Sequence, residues 1–214
     1  MTQVRIHGRG GQGVVTAAEM LARAGFLAGH EVQAIPSFGS ERTGAPVVAY
    51  CRFSDARLRT REPVLEPDVV LVQDPTLLGP ARPFAGLAPG GIVIVDTTAD
   101  APWVREHAGA QDADARVVTV PATRIAMDLL GRPKPAAAML GAYAGCADHI
   151  TLDAVQQVFR ARFPGAVGEA NAEVATTAFA HVRGDLYTRD DSPEKGDAAA
   201  PAGPRIVPQE VSRA

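Results

Sequence analysis

Apolar residues fall into short unbroken runs, separated by alanine-rich stretches with helical spacing. Val69-Val70-Leu71-Val72 is introduced by Pro67-Asp68 and stopped by Gln73-Asp74-Pro75. Gly91–Asp96 repeats that design, and Val117–Val120 repeats it again before Pro121. Such runs suit strands buried on both faces, the pattern of a parallel sheet. Val4–His7 predicts a first strand, Glu31–Ile35 a second and Pro46–Phe53 a third. Val14–Ala28 predicts a helix, with Val15, Ala18, Leu21, Ala22 and Phe26 at helical spacing and Gly29-His30 at its end. Shorter helical pieces are expected near Thr76–Leu87 and Trp103–Ala108.

The C-terminal half reads as helical. The expected helices are Ala122–Leu130, Pro135–Ala147, Thr151–Phe163 with Thr151 as its cap and Val155, Val158 and Phe159 inward, and Gly165–Leu186. Strands alternating with helices predict an α/β domain with a mostly parallel sheet and helices on both faces. Ligands of such sheets bind at the carboxyl ends of the strands, where Gly8–Gly13, Asp74 and Asp96 fall. The domain is expected to span residues 1–187. From Thr188 the chain turns charged and then Ala/Pro-rich, so residues 188–214 are expected to form a disordered tail.

Composition narrows the function. Of 214 residues, 46% are hydrophobic and 21% charged, and the formal charge is −3, which argues for a globular domain and against a nucleic-acid groove. Aromatic residues are 5%, too few for base-stacking platforms. No run reaches the roughly 18 apolar residues of a membrane span, and the amino-terminal residues read as a strand, not a signal segment. A cytoplasmic location with no membrane partner is expected. The two cysteines, Cys51 and Cys146, cannot supply a four-cysteine cluster and are read as reduced thiols.

Gly8-Arg9-Gly10-Gly11-Gln12-Gly13 fits Gly-x-Gly-x-x-Gly between a strand and a helix. In that motif the first glycine makes a tight turn, the second admits a ligand to the backbone, and the third lets helix and strand pack closely. The helix start favours an anion, and Arg9 offers further donors to a phosphate or carboxylate. A dinucleotide site expects an acidic residue about 20 positions on, at the end of the second strand. Here that strand ends Ala34-Ile35-Pro36-Ser37, without one. A NAD(P)-binding oxidoreductase and a scaffold whose glycines serve only packing remain alternatives.

A long polar loop follows: Ser37-Phe38-Gly39-Ser40-Glu41-Arg42-Thr43-Gly44. Connections of this length are often functional. Glu41 and Arg42 are either a solvated pair or part of a site shared with a partner chain. His7, His149, Asp74 and Asp96 are read as structural, and no catalytic residue or metal site is assigned.

The stretch Gly8–Glu19 resembles the opening motif of the γ subunits of pyruvate and related 2-oxoacid:ferredoxin oxidoreductases. So does Pro36-Ser37-Phe38-Gly39-Ser40-Glu41-Arg42-Thr43-Gly44-Ala45-Pro46, which in the family often reads Phe-Gly-Pro-Glu-Arg-Arg-Gly-Ala-Pro; Ser40 and Thr43 depart from it. Glu66–Thr76 and Ala138–Ala142 resemble two further stretches, and the likeness runs over residues 3–183. The resemblance implies a Rossmann-like domain in a multisubunit enzyme that converts a 2-oxoacid, pyruvate foremost, to acyl-coenzyme A and passes electrons to ferredoxin. It implies α, β and δ-type partner subunits that carry thiamine diphosphate, Mg2+ and [4Fe-4S] clusters, and a chain inactive alone. It further implies that this chain lies on the coenzyme A side, which makes Gly8, Arg9, Gly10, Gly11, Gln12, Gly13, Ser37, Phe38, Gly39, Glu41, Arg42 and Gly44 the expected binding residues.

Overall fold

The computed structural model describes residues 1–36, 43–60 and 62–184. Its strands are β1 (Thr2–Arg9), β2 (Glu31–Pro36), β3 (Pro46–Ser54), β4 (Val69–Val72), β5 (Gly91–Asp96) and β6 (Ala115–Val120). They form one sheet in the order β2-β3-β1-β4-β5-β6. β1, β4, β5 and β6 pair in parallel, while β3 runs antiparallel to both β1 and β2. Five strands therefore point one way and β3 alone is reversed, which agrees with the mostly parallel sheet expected.

The helices are α1 (Val14–Leu27), α2 (Ala101–His107), α3 (Ala122–Leu130), α4 (Ala136–Cys146), α5 (Leu152–Arg162) and α6 (Ala166–Arg183). Strand alternation divides the core in two. Val4, Ile6, Val69, Leu71 and Ile94 pack with the apolar sides of α1 and α3–α6. Val70, Val72, Val93 and Val95 face the other way, onto Leu78, Val104 of α2 and the flanking Phe84, Leu87 and Trp103. Because both faces are covered, β4 is apolar at every position. Among the described residues no helix is long and apolar enough to cross a membrane.

One expected element is absent. Thr76–Leu87 is not a helix but a three-residue 3-10 turn, Pro75–Leu77, followed by turns. Pro80, Pro83, Gly79 and Gly86 break any longer helical run. β4, β5 and α3 have the expected bounds, and the remaining boundaries differ by at most three residues. Residues 188–214, read as a tail, lie outside the described residues, as do Ser37–Arg42.

Helix α4 is deeply enclosed, with every residue from Ala136 to Tyr143 buried. Small side chains let α6 come close: a Cβ on Gly141 would stand 2.0 Å from the carbonyl oxygen of Ala175. Replacing Gly141 by alanine gains up to about 1 kcal/mol of helix propensity. The backbone clash outweighs that gain, and the net expected loss is on the order of 2 kcal/mol. The denaturant midpoint of the Gly141→Ala chain measures it, and an unchanged midpoint would refute the close-approach reading.

The face of β1 away from α1 carries Arg5 and His7, both buried. Arg5 donates to the carbonyls of Leu65, Pro83 and Ala85. His7 is buried without a hydrogen bond: neither ring nitrogen has a partner among the described residues. Burial, and secondarily the Arg5 charge, pushes its pKa down to about 4 from an ordinary 6.5. The folded state thus holds His7 neutral while the unfolded chain protonates it near pH 6.5. Its stability is complete above that pH and falls as pH drops toward about 4, by on the order of 3 kcal/mol. His7→Leu should flatten the acid limb of a stability-versus-pH curve; an unaltered limb would show that His7 does not govern it.

Candidate functional site

The glycine loop lies at the carboxyl end of β1, between β3 and β4. There the chain passes from one half of the sheet to the other, the switch point at which such folds bind ligands. Gly8 is still in the strand, and a Cβ on it would stand 2.5 Å from Val14 Cγ2. The first glycine, not the third, is therefore what seats α1 on β1. Gly13 is the N-cap of α1 at φ 83°, left-handed backbone that side chains other than glycine rarely adopt. A glycine cap brings no side-chain hydrogen bond and no acid follows in the first turn, so the first N–H groups of α1 are left for an outside acceptor.

The two sequence motifs meet here. Gly10 N donates to Ala45 O at 2.8 Å, and Gly44 N donates to Gly10 O at 3.0 Å. Arg9 Nη1 donates to Gly44 O at 3.0 Å. The structure thus joins Gly8–Gly13 to Gly44; Ser37, Phe38, Gly39, Glu41 and Arg42 lie outside the described residues.

Asp74, just past β4, fixes the loop from the other side. Its carboxylate accepts from Arg9 Nε at 3.0 Å, from Gln12 Nε2 at 3.1 Å and from Thr76 N at 3.0 Å. Gln12 Oε1 accepts from Arg9 N at 2.7 Å, and Arg9 Nη2 donates to Thr76 Oγ1 at 2.7 Å. Burial pushes the Asp74 pKa up, but the hydrogen bonds from Thr76 and Gln12 and the Arg9 charge outweigh it and hold the carboxyl below its ordinary value. Arg9 is thereby a strut whose donors are largely committed within the protein, and the uncapped start of α1 is left with the freer donors. Asp96 ends β5 and accepts from Thr123 N at 2.9 Å, capping α3 where Pro121 supplies no side-chain cap. Burial raises its pKa despite the Thr123 hydrogen bonds. His149 is remote from this end: its Nε2 lies 2.7 Å from Thr2 Oγ1 at the start of β1.

Beside the loop is a cavity of about 500 Å³ that the sequence reading did not find. Gln12, Gly13 and Thr16 form one wall, and Arg132 and Lys134 of the α3–α4 connection form the rim. Ala136, Ala166 and Val167, at the starts of α4 and α6, complete it. The Lys134 ammonium donates to the carbonyl of Gly11, so the rim and the glycine loop are tied together. The only sequence signal was a charged loop, Gly131–Lys134, between two helices.

The arrangement defines an α/β domain with a glycine-rich helix start at the sheet's switch point. Comparison with known proteins carries this further: the family model described as pyruvate ferredoxin/flavodoxin oxidoreductase matches residues 3–181. The chain belongs to that family, among its γ-type subunits. It is 46% identical over 179 residues to the pyruvate/ketoisovalerate oxidoreductases common subunit gamma of Thermococcus kodakarensis, covering 84% of this chain and 96% of that one. It is 42% identical over 182 residues to the pyruvate synthase subunit PorC of Methanothermobacter thermautotrophicus, covering 85% and 96%. The crystal structure of the pyruvate oxidoreductase subunit PORC of Thermotoga maritima superposes with a TM-score of 0.74 at 37% identity, over 83% of this chain and 94% of that one.

Asp74→Ala removes the acceptor shared by Arg9, Gln12 and Thr76. The expected result is a loss of about 1–3 kcal/mol, with faster amide hydrogen exchange at Gly10–Gly13 than elsewhere in the sheet. Exchange that stays unchanged in the loop would show that Asp74 does not hold it.

Proposed function

We propose that this chain forms the coenzyme A side of a thiamine-diphosphate-dependent enzyme that oxidatively decarboxylates a 2-oxoacid, and that it helps hold that enzyme together. Pyruvate is the substrate the relatives' names favour, and ferredoxin is the acceptor. Thiamine diphosphate, Mg2+ and [4Fe-4S] clusters belong to the α, β and δ-type partners: two cysteines fall short of the four thiolates of such a cluster. The same two cysteines, both free, suit a reducing cytoplasm. The unit that performs this role is residues 1–187, with 188–214 as an appendage.

The observation that carries the reading is the pairing of Gly10 with Gly44 and Ala45, which makes one edge of two separate motifs. That edge offers an anion the open N–H groups of α1. Coenzyme A brings phosphates to such an edge and a neutral arm that reaches toward the reacting carbon. The residues present fit those anionic groups: no acid stands in the first turn of α1, and Asp74 is already neutralised by Arg9. Because Arg9 shapes the edge and Arg42 belongs in sequence to its second motif, a change at either should affect coenzyme A and not the 2-oxoacid.

The test is steady-state kinetics of the complete complex carrying Arg9→Ala or Arg42→Ala. Loss of a charged hydrogen bond should raise KM for coenzyme A about tenfold, with KM for pyruvate unchanged. Unchanged coenzyme A kinetics and unchanged assembly in both variants would overturn the reading. So would micromolar NADH binding by the isolated chain.

A further inference from the structure

The cavity beside the glycine loop has a chemistry of its own. Leu129, Leu130, Phe163, Val167 and Ala170 give it apolar walls, and no Asp or Glu is among its lining residues. Two cations stand on its rim. Arg132 is exposed and makes no side-chain hydrogen bond or ion pair among the described residues, and Lys134 donates to Gly11 O with further N–H groups to spare. Asn171 lines the cavity and is nine-tenths buried. One of its amide N–H groups is donated to Val167 O at 2.8 Å, and the rest of the carboxamide has no partner among the described residues.

Three helices begin at this cavity. α1, α4 and α6 start from Gly13, Pro135 and Gly165, none of which caps its helix with a side chain. Each start contributes a partial positive charge, undiminished at α1 and α4, where no acid stands in the first turn, and partly offset at α6 by Glu169. Apolar walls bounded by fixed positive charge complement one kind of small molecule.

We propose that this cavity is a binding site for an organic anion, its short apolar body between Leu129, Leu130, Phe163 and Val167 and its carboxylate or phosphate head against Arg132 and the helix starts. Asn171 supplies the buried polar contact that fixes the ligand's orientation, as the few polar groups of an apolar pocket do. The site lies on the α4 and α6 side of the α1 start, whereas Gly44 meets the glycine loop from β3. A ligand here shares the α1 start with the coenzyme A edge and is otherwise read by Arg132, Asn171 and the starts of α4 and α6, which that edge does not use.

The experiment titrates the full chain with octanoate, octyl phosphate and 1-octanol, followed by calorimetry and by protein NMR. Octanoate and octyl phosphate should bind at least about tenfold more tightly than octanol, the effect of one charged contact. Arg132→Glu removes the rim charge and Ala170→Trp fills the cavity; each should weaken octanoate at least about tenfold with an unchanged melting curve. Arg132 is exposed, so its variant tests the proposal even if the tryptophan variant unfolds. Displacement of octanoate by coenzyme A would identify the anion with that coenzyme, and indifference to coenzyme A would identify it with a free carboxylate or phosphate; both support the site. No binding of either anion, equal binding of octanol, or octanoate binding untouched by the variants would overturn it.

Discussion

The close seating of α1 on β1 governs the rest of the molecule. Among the described residues β1 is the only strand with a parallel neighbour on one side and an antiparallel one on the other. A side chain at Gly8 would collide with Val14, so the helix begins where it does because that position has none. The position of α1 then sets where Gly13 must turn, where Arg9 can reach Asp74, and how far α4 and α6 stand from the glycine loop. A change at Gly8 propagates to every feature of the carboxyl edge, because packed interiors have few voids to absorb it.

Much of the fold was legible because both faces of the sheet are covered. That burial forces β4 and β5 into apolar runs, which read directly as strands, while the edge strand β6 is only half-buried and keeps an apolar run over Val117–Val120 broken by Thr119. The helical C-terminal half was legible for the same reason, and α4 in particular because its enclosure leaves it without a charged residue from Ala136 to Cys146. The segment after β4 misled the reading: Leu77, Leu78, Phe84 and Leu87 are apolar because they cover the sheet, not because they share a helix face.

The site was legible only in part, and the division is physical. A glycine motif announces a constrained backbone, and both constraints are present, but which glycine meets which one depends on the packing of Val14. That Arg9 is committed to Asp74 depends on a partner 65 residues away in the chain. Arg132 and Lys134 gain significance only when three helix starts far apart in sequence converge. Local pattern carries periodicity and turn chemistry; it carries no account of which surfaces end up side by side.

The span between Arg9 and Asp74 has a consequence for assembly. The β2–β3 hairpin closes locally, with Pro36 opposite Ala49, whereas the Arg9–Asp74 clasp must gather a long stretch of chain. Closing long loops costs more entropy and comes later than closing short ones. The glycine edge therefore acquires its shape only after β4 has docked beside β1. A chain emerging from the ribosome, or one partly unfolded, presents the hairpin but not the edge. A partner that recognised the edge would by that fact distinguish chains in which β4 has docked from chains in which it has not.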